Sequence, residues 1–301
     1  MPELPEVETV RRGIDRHIVG RRISAVEVGR ERTVRRTSRD ALIAGLTGTT
    51  VVAAHRRGKY LVCPLDSGDA VMIHLRMSGQ LLIAPSGTPR PAHTHVVAHL
   101  DPRADVPVTG AGDRHEVWFV DPRTFGEVVV FDPDRAAVEV PELARLGIDP
   151  LVDDLDRASL RRLLLARRRQ LKALLLDQQV IAGLGNIYAD EVLHQARLHP
   201  LRTSDDLTGP EITRLHRSIH DVLGAAIDAG GSTLGDNQYV DLMGGEGSYQ
   251  DDHRVYGRTG QICSTCGRGV VLRVVSGGRS THLCPRCQRR PRNPGSAGRV
   301  G

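Results

Sequence analysis

The sequence is poor in aromatic residues and in lysine. Phenylalanine, tryptophan and tyrosine together make up 3% of its 301 residues, which argues against a nucleic-acid site built from a row of aromatic rings on which bases stack. Of the 41 basic residues, only Lys59 and Lys172 are lysines. Because a compact, titratable amine differs most from a guanidinium in catalysis and in close phosphate contact, both lysines are candidates for those roles. Chance retention is the alternative.

The sequence also lacks an apolar run long enough to cross a bilayer. Its first residues, MPELPEVETV, carry acids and prolines where a signal peptide needs bases followed by an apolar stretch. We therefore expect a soluble, cytoplasmic protein. Its net charge of +5 suits a polyanionic partner such as duplex DNA gripped through its phosphates, although a generally basic surface explains the charge equally well.

The first part of the sequence predicts one helix followed by many short strands. Val7, Val10, Ile14 and Ile18 recur at helical spacing. Strand-like stretches follow at 23–28, 51–54, 60–65, 71–75, 81–84, 117–120 and 128–131, and 101–115 looks like a long surface loop. Because no helices alternate with these strands, the pattern favours an antiparallel sandwich or barrel. We delimit this domain as residues 1–135.

The character of the sequence changes near residue 150. Leucines among arginines predict an amphipathic helix over 156–177, and apolar periodicity predicts another over 210–229. We therefore expect a helical domain at 150–230. Residues 231–260 are rich in Gly, Asp, Ser and Tyr and predict a mobile loop and linker, whereas the Pro-, Gly- and Arg-rich tail 289–301 is predicted to be disordered.

Four of the five cysteines form the strongest local motif, Cys263-x2-Cys266-x17-Cys284-x2-Cys287. Two such pairs joined by a hairpin-length insert predict one structural zinc ion in a finger at 261–288. Disulfides are the alternative, which a cytoplasmic protein disfavours. Four thiolates fill the tetrahedral site, so this metal has no position for a catalytic water. The fifth cysteine, Cys63, is most simply a small buried hydrophobe.

Two further motifs suit phosphate contact. Arg279 follows Gly277 and Gly278 between the cysteine pairs, where a hairpin tip would reach into a nucleic-acid groove; a solvated turn arginine is the alternative. The glycine-rich turn 183–185 precedes a predicted helix, and helix N-termini bind phosphate well. Asn186 would add a side-chain donor there, although an ordinary corner between helices gives the same pattern.

The N-terminus carries a possible nucleophile. Methionine is usually removed before a small residue, and mature Pro2 would then offer a secondary amine. An α-amino group has a pKa of about 7.7–8.0, so a useful fraction is uncharged near neutrality. Its attack on a sugar carbon gives a cationic iminium that acts as an electron sink, and Glu3 could exchange protons beside it. Without other features, an ordinary solvated terminus would be the better interpretation.

These features occur together, and together they resemble the formamidopyrimidine-DNA glycosylases. The matching segments are MPELPEVETVRRG, RRGKYL, HLRMSG, DPRTFG, GLGNIYADE, VYGR and the paired cysteines. They lie in that family's order and span residues 2 to 288. The PELPEV start resembles the branch that acts on oxidised purines rather than the sister branch that acts on oxidised pyrimidines.

The resemblance implies an α+β protein of several domains. An N-terminal β-sandwich with a leading helix, a helix–two-turn–helix domain and a zinc finger would hold duplex DNA in the cleft between them, with the 231–260 segment capping the damaged base. It also implies removal of 8-oxoguanine and ring-opened purines, followed by strand cleavage at the abasic site through β,δ-elimination. A monomeric protein associated with a bacterial-type nucleoid is expected.

The resemblance assigns roles residue by residue. Pro2 matches the family's nucleophile and Glu3 its general acid. Lys59 matches a lysine that contacts the phosphate beside the lesion and assists proton transfer. Arg279 matches an arginine of the zinc finger that binds phosphate and belongs to the catalytic set with Pro2, Glu3 and Lys59. Asn186 matches an asparagine that binds phosphate.

Other residues match DNA contacts. Met77, Arg123 and Phe125 match three side chains inserted where the damaged nucleotide is flipped out, and such wedges offset the cost of unstacking. His93 and Arg168 fall at further DNA-contact positions.

The remaining lysine, Lys172, aligns with a lysine near the lesion pocket. The sequence departs from the family at Thr124, where many members carry a second arginine, and in the glycine-rich 235–250 loop; the 101–115 loop is also long. The departures at Thr124 and in the 235–250 loop bear on lesion preference.

Three alternatives remain open from the sequence. An oxidised-pyrimidine glycosylase of the sister branch would share most of these motifs, but the PELPEV start argues against it. A catalytically silent binder of damaged DNA would be indicated by loss of Pro2, Glu3 or Lys59, and all three are present. A zinc-ribbon transcription factor would have no need of the N-terminal Pro–Glu pair.

Overall fold

The computed structural model describes residues 1–34, 36–103, 114–235 and 239–290. These residues form two compact units. The first consists of Met1–Leu146 with Ala225–Asp251, and the second of Gly147–Gly224 with the chain from Asp252 onward. The segment 225–251 thus belongs with the N-terminal part of the chain. No helix within the described ranges is both long and apolar enough to span a membrane.

Three predicted segments fall partly outside these ranges. Residues 104–113 of the expected 101–115 loop, 236–238 of the expected 231–260 loop and 291–301 of the expected tail lie outside the described residues.

The first unit begins with helix α1, Leu4–His17. Its apolar face, which includes Val7, Val10 and Ile14, is buried in the main core of the unit. Proline is tolerated in the first turn, where no intrahelical partner for its missing N–H is needed, and Pro5 stands there. The helix predicted from apolar spacing is confirmed.

In the described part of this unit, eight strands follow α1 and form two antiparallel sheets. They are β1 Ile23–Val28, β2 His55–Arg57, β3 Tyr60–Pro64, β4 Ala70–His74, β5 Gln80–Pro85, β6 Thr94–Leu100, β7 His115–Val120 and β8 Glu127–Phe131. One sheet has the order β1-β6-β7-β5 and the other β2-β3-β4-β8. Apolar side chains from both sheets, such as Phe119 and Ile73, meet in one core. The predicted β-sandwich is therefore confirmed.

Two details of the strand prediction are wrong. Residues 51–54 form no strand, since only Val51 makes an isolated bridge, to Leu65, and Val52 is exposed. Strands β2 and β6 were not predicted, and in β6 the burial does not alternate, since three successive residues from His95 to Val97 are buried. Helix α2, Arg39–Leu46, was also missed, although the Ser38 hydroxyl caps it by accepting from the Ala41 N–H at 3.1 Å.

Helices connect the sandwich to the second unit and then make up most of the regular structure of that unit. They are α3 Ala136–Glu139, α4 Pro141–Ala144, α5 Arg157–Leu165, α6 Leu171–Leu175, α7 Asn186–Gln195 and α8 Gly209–Asp228. The single helix predicted over 156–177 is wrong. Gln170 is extended and bridges Thr203, and the Leu171 N–H donates to the Arg202 carbonyl at 2.8 Å. Tertiary backbone pairing thus overrides helical periodicity at this point.

The cysteine-rich segment forms a two-stranded hairpin of β9, Leu272–Ser276, and β10, Arg279–Leu283. Gly277 and Gly278 make the turn with positive φ angles of 55° and 74°. A two-residue turn of this hand matches the twist of the flanking strands and strongly favours glycine. Arg279 is the first residue of β10 and is exposed, as the sequence predicted.

Candidate active site and DNA-contact residues

Pro2 and Glu3 lie directly before α1 and are both buried. In this chain the Pro2 nitrogen is in a peptide bond with Met1, so a free secondary amine requires removal of Met1. The Glu3 N–H donates to Oε2 of Glu6 at 2.7 Å, in the capping-box arrangement that fixes the start of a helix. The pair is thus held in place by the helix that follows it.

Glu6 holds a second segment of the same unit. Its carboxylate is 1% exposed, and Oε1 accepts the Ser232 N–H at 2.8 Å. Neighbouring Gly231 has a φ of 83°, and a Cβ there would lie 2.8 Å from Oε1 of Glu6. A side chain at 231 would therefore break this approach. Glu6 was not among the predicted site residues, although its position three residues after Glu3 is the capping-box spacing.

Lys59 lies in the turn between β2 and β3, after Gly58 with a φ of 57°. Lys59 is 6% exposed. Buried Arg56 donates through Nη1 to the Gly58 carbonyl at 2.9 Å, and its Nε lies 3.2 Å from Oε2 of Glu8 on α1. The Arg56–Glu8 pair therefore ties the turn that carries Lys59 to the helix that begins at the Pro–Glu pair.

A buried histidine adjoins this turn. Burial first, and then the charges of Arg76 and Lys59, hold the pKa of His74 well below its ordinary value. Its Nδ1 atom accepts the Arg76 N–H at 2.9 Å, which requires that nitrogen to be unprotonated. His74 is therefore a neutral neighbour of Lys59 at physiological pH.

The predicted wedge residues lie on loops at the ends of strands in this unit. Met77 is 39% exposed in the β4–β5 loop. Arg123 and Phe125 follow β7, and the Arg123 guanidinium carbon lies 4.9 Å from the centre of the Phe125 ring. His93 is exposed just before β6 and has a φ of 65°. Met77 and Arg123 are thus exposed and Phe125 is half-buried, and their role as wedge residues stays a prediction.

In the second unit, Asn186 is the first residue of α7. Gln178 fixes the preceding turn, because its side chain accepts the Gly183 N–H at 2.9 Å and donates to the Leu184 carbonyl at 2.8 Å. Within the described residues, Oδ1 of Asn186 is buried and has no hydrogen-bond partner. A buried polar atom without a partner is rare and suits a residue that awaits a ligand. Arg168, by contrast, is exposed and lies 3.7 Å from Asp205.

Lys172 lies in a buried position, which the sequence did not predict. Its side chain is 2% exposed, and Nζ lies 2.7 Å from Oδ1 of Asp190. Nζ also donates to the Ser280 carbonyl at 2.8 Å. An amine that is buried with these partners is not exposed to a phosphate in this structure, and the DNA-contact role of Lys172 stays a prediction. Sequence alignment alone placed it near the lesion pocket and could not show its burial.

The four cysteines predicted as zinc ligands come together. Their sulfur atoms lie within 4.8 Å of one another, with Cys263 3.9 Å from Cys287 and Cys266 3.8 Å from Cys284. Zn–S bonds of about 2.3 Å in a tetrahedron place sulfurs about 3.8 Å apart. The donor set thus fits one structural zinc ion.

The fifth cysteine is separate from this site. Cys63 is buried in β3, and burial raises the pKa of its thiol to about 12. The interpretation of Cys63 as a small core residue is confirmed.

A helix-led β-sandwich, a helical unit and a four-cysteine hairpin with an arginine at its tip define a zinc-finger DNA-binding protein. The sequence matches the formamidopyrimidine-DNA glycosylase N-terminal domain over residues 1–128, the H2TH domain of the same enzymes over 146–238, and the zinc finger found in FPG and IleRS over 260–290. The chain belongs to the formamidopyrimidine-DNA glycosylase family.

Individual relatives are similar over nearly their whole length. The formamidopyrimidine-DNA glycosylase of Salinispora arenicola is 46% identical over 97% of this chain and 98% of its own. The Lactococcus lactis Fpg in complex with an abasic site containing DNA is 35% identical, with a TM-score of 0.83 over 96% of this chain and 100% of that one. MutM in complex with carbocyclic 8-oxo-G containing DNA has the same identity, TM-score and coverage.

Proposed function

We propose that this protein is a bifunctional DNA glycosylase and AP lyase of base excision repair, which removes 8-oxoguanine and formamidopyrimidines from duplex DNA. The observation that carries the proposal is the buried Pro2–Glu3 pair, held at the start of α1 by Glu6. Support comes from the family and from relatives solved with abasic and 8-oxo-G containing DNA.

The proposed chemistry begins at the Pro2 amine, once Met1 is removed. The amine nitrogen bonds to C1′ of the damaged nucleotide, the bond from C1′ to the base breaks, and the proton that the amine loses balances the one that the departing base takes up. Glu3 gives a proton to the ring oxygen, so that the sugar opens and an iminium forms. Loss of the C2′ proton then expels the 3′ phosphate, a second elimination expels the 5′ phosphate, and water releases the sugar fragment and regenerates Pro2.

Other residues bind and orient the DNA in this proposal. Lys59 contacts the phosphate beside the lesion and assists proton transfer, whereas Asn186, Arg279, His93 and Arg168 contact the DNA backbone or adjoining groups. The zinc ion stabilises the finger that carries Arg279 and takes no part in the chemistry.

The domain organisation remains part of the proposal. We assign catalysis to 1–135, DNA binding to the helical region 150–230 and the finger 261–288, and capping of the extruded base to 231–260. The Ser232–Glu6 hydrogen bond supports the last assignment, since it joins that segment to the residue that holds Glu3. We further propose that the protein works as a monomer on the chromosomal DNA of a bacterial-type nucleoid.

Borohydride trapping tests the function. Incubation of Met1-free protein with an 8-oxoguanine duplex and borohydride should give a covalent protein–DNA adduct, because reduction of the iminium fixes the bond. Peptide mapping should place the adduct at Pro2. An otherwise identical protein that retains Met1 is the matched control and should give none.

Other results would contradict the proposal in whole or in part. Faster release of an oxidised pyrimidine than of 8-oxoguanine would favour the sister branch. Tight binding of lesion DNA without adduct or base release would identify a silent damage binder. An adduct at Lys59 would overturn the nucleophile but leave the class of enzyme standing.

A further inference from the structure

Asp121 is a fully buried carboxylate directly after β7, with 0% of its surface exposed. Its Oδ1 atom accepts the Ser78 hydroxyl at 2.5 Å and the Arg123 N–H at 3.2 Å. Its Oδ2 atom accepts the Gly126 N–H at 2.6 Å. Ser78 follows Met77, and Gly126 follows Phe125. One carboxylate therefore binds residues at or beside all three predicted wedge side chains.

The main chain of Asp121 holds a third loop. Its N–H donates to the His93 carbonyl at 3.0 Å. Its carbonyl accepts the Thr124 N–H at 3.2 Å and lies 2.8 Å from Nε2 of His95. The loops around residues 77, 93 and 124 thus meet at Asp121, although they are far apart in the sequence.

Backbone conformation marks the same three loops. In the described part of the chain, four non-glycine residues have a positive φ, and three of them are Arg76 at 55°, His93 at 65° and Thr124 at 53°. Each of the three loops contains one. A left-handed conformation is unfavourable for a residue other than glycine and persists where surrounding contacts hold it. The hydrogen bonds of Asp121 supply such contacts to all three loops.

Neighbouring glycines restrict the loops further. A Cβ at Gly79 would lie 2.5 Å from the Leu75 carbonyl oxygen, and one at Gly126 would lie 2.5 Å from Cζ of Phe119. The Leu75 backbone and the Phe119 ring therefore leave no room for side chains at these two positions.

We propose that Asp121 is a positioning residue, which locks the three loops into one platform so that Met77, Arg123 and Phe125 are preorganised for insertion into the DNA stack. This inference rests on the proposed function. Preorganisation lowers the ordering cost that insertion would otherwise incur. A carboxylate suits the task because it only accepts hydrogen bonds, whereas an amide in either orientation would turn its NH2 group toward at least one backbone N–H that now donates to Asp121.

The primary test uses Asp121→Asn and a duplex that contains a tetrahydrofuran abasic-site analogue beside 2-aminopurine. This DNA reports insertion by fluorescence without any chemistry. We expect insertion, and base release from an 8-oxoguanine duplex, to slow by about 10–100-fold, since a misplacement of about 1 Å costs on this order. Trapping on single-stranded abasic DNA, which has no stack to invade, should change by less than about threefold.

Asp149→Asn is the matched control. Asp149 is also 0% exposed in a loop, and its Oδ1 accepts the Leu151 N–H at 3.1 Å. It belongs to the second unit, whereas the three loops belong to the first. Its variant should leave both insertion and single-strand trapping near the wild-type values, which separates a role in the platform from the general cost of altering a buried carboxylate.

A double-mutant cycle tests whether Asp121 acts through the wedge. In a Met77→Ala/Phe125→Ala background, Asp121→Asn should have little further effect on insertion, because the side chains that it positions are gone. A full additional loss in that background would overturn the inference. So would equal losses of insertion and single-strand trapping, or normal insertion by Asp121→Asn.

Ser78→Ala covers the case in which Asp121→Asn does not fold. It removes one donor and leaves the backbone donors to Asp121 in place, so insertion should slow by a smaller factor in the same direction. Normal insertion by folded Ser78→Ala would count against the platform. If wild-type protein inserts into the analogue duplex but releases no 8-oxoguanine, the proposed function fails while this inference stands.

Discussion

Nζ of Lys172 lies 2.7 Å from Oδ1 of Asp190, and both side chains are almost completely buried. The pair joins two elements of the second unit. Lys172 donates to the Ser280 carbonyl of β10, and Oδ2 of Asp190, on α7, accepts the His282 N–H of the same strand at 2.8 Å. Ser280 is the neighbour of Arg279, so the pair fixes the strand that begins with the finger arginine.

Lys172→Met should therefore destabilise the protein more than the substitution of an exposed lysine would. It leaves the Asp190 carboxylate buried without its cation, which costs about 3–5 kcal/mol of unfolding free energy. Lys172→Met combined with Asp190→Asn removes both charges and should recover part of that loss. Urea unfolding of the three proteins measures the difference, and a double variant no more stable than the single one would contradict this account.

Loss of one zinc ligand should unfold the finger. Metal analysis should find about one zinc per chain in wild-type protein, and Cys284→Ser should lose that metal together with most DNA affinity, because a hairpin this small depends on its metal for folding. Cys63→Ser is the matched control, since Cys63 lies in the sandwich and should leave the zinc content unchanged. Full DNA affinity in metal-free protein would exclude the structural role.

Arg279 should contribute through phosphate contact. The slope of log affinity against log salt changes by about 0.9 for each phosphate neutralised, so Arg279→Ala should weaken duplex binding and lower the slope by about that amount. Exposed Arg268, in the same finger but away from the hairpin turn, provides the control Arg268→Ala. Weaker binding with an unchanged slope would mean that Arg279 does not touch the DNA backbone.

Glu211 should make stability depend on pH in the acid range. Burial alone raises the pKa of this carboxyl, but hydrogen bonds from Arg202 and Thr208 outweigh it and hold the pKa at about 2. A lowered pKa stabilises the fold above about pH 4.5, and that contribution is lost as the pH falls toward 2.

Glu211→Gln should therefore cost about 2–3 kcal/mol of unfolding free energy at pH 7 and progressively less as the solution is acidified. Melting curves from pH 7 to pH 2 measure the gap. Glu246→Gln, at an exposed loop position, should show no such gap at any pH. A Glu211 effect that stays constant with pH would exclude the ion pair as its source.

The sequence predicted the elements whose residues carry a local period or a fixed spacing. Helix α1, most sandwich strands and the four-cysteine site are of this kind. The 156–177 helix failed because backbone pairing between Gln170 and Thr203 is a tertiary contact with no local signal. Strand β6 was missed because burial along it does not alternate.

The residues of the candidate site also divide into those that the sequence predicted and those that it did not. Resemblance pointed to Pro2, Glu3 and Lys59, but the buried carboxylates of Glu6 and Asp121 were missed. The burial of a polar residue depends in part on partners that are distant in sequence. Hydrophobic periodicity, by contrast, identifies buried positions only where the residues are apolar. The burial of Lys172 was hidden for the same reason, since its partners Asp190 and Ser280 are 18 and 108 residues away.

The two chemical steps should separate at Glu3. Attack of Pro2 on an intact nucleotide must expel a base and open the sugar, so it depends on an acid beside the ring oxygen. An abasic site already has an aldehyde form, with which an amine condenses with less help. Glu3→Gln should therefore nearly abolish release of 8-oxoguanine, by about 100-fold or more, and retain nicking of abasic DNA within about tenfold.

Pro2 provides the complementary comparison. Pro2→Gly keeps an N-terminal amine but makes it primary and less rigidly placed, so it should lose much of base release and keep a weak lyase. Retention of Met1 should abolish both steps, because the nitrogen is then an amide. Glu8→Gln, which alters another α1 carboxylate that pairs with arginines, controls for a general disturbance of the helix and should not separate the two steps. Equal loss of base release and abasic-site nicking in Glu3→Gln would assign the acid to another residue, since only an acid needed for ring opening discriminates between a closed sugar and an aldehyde.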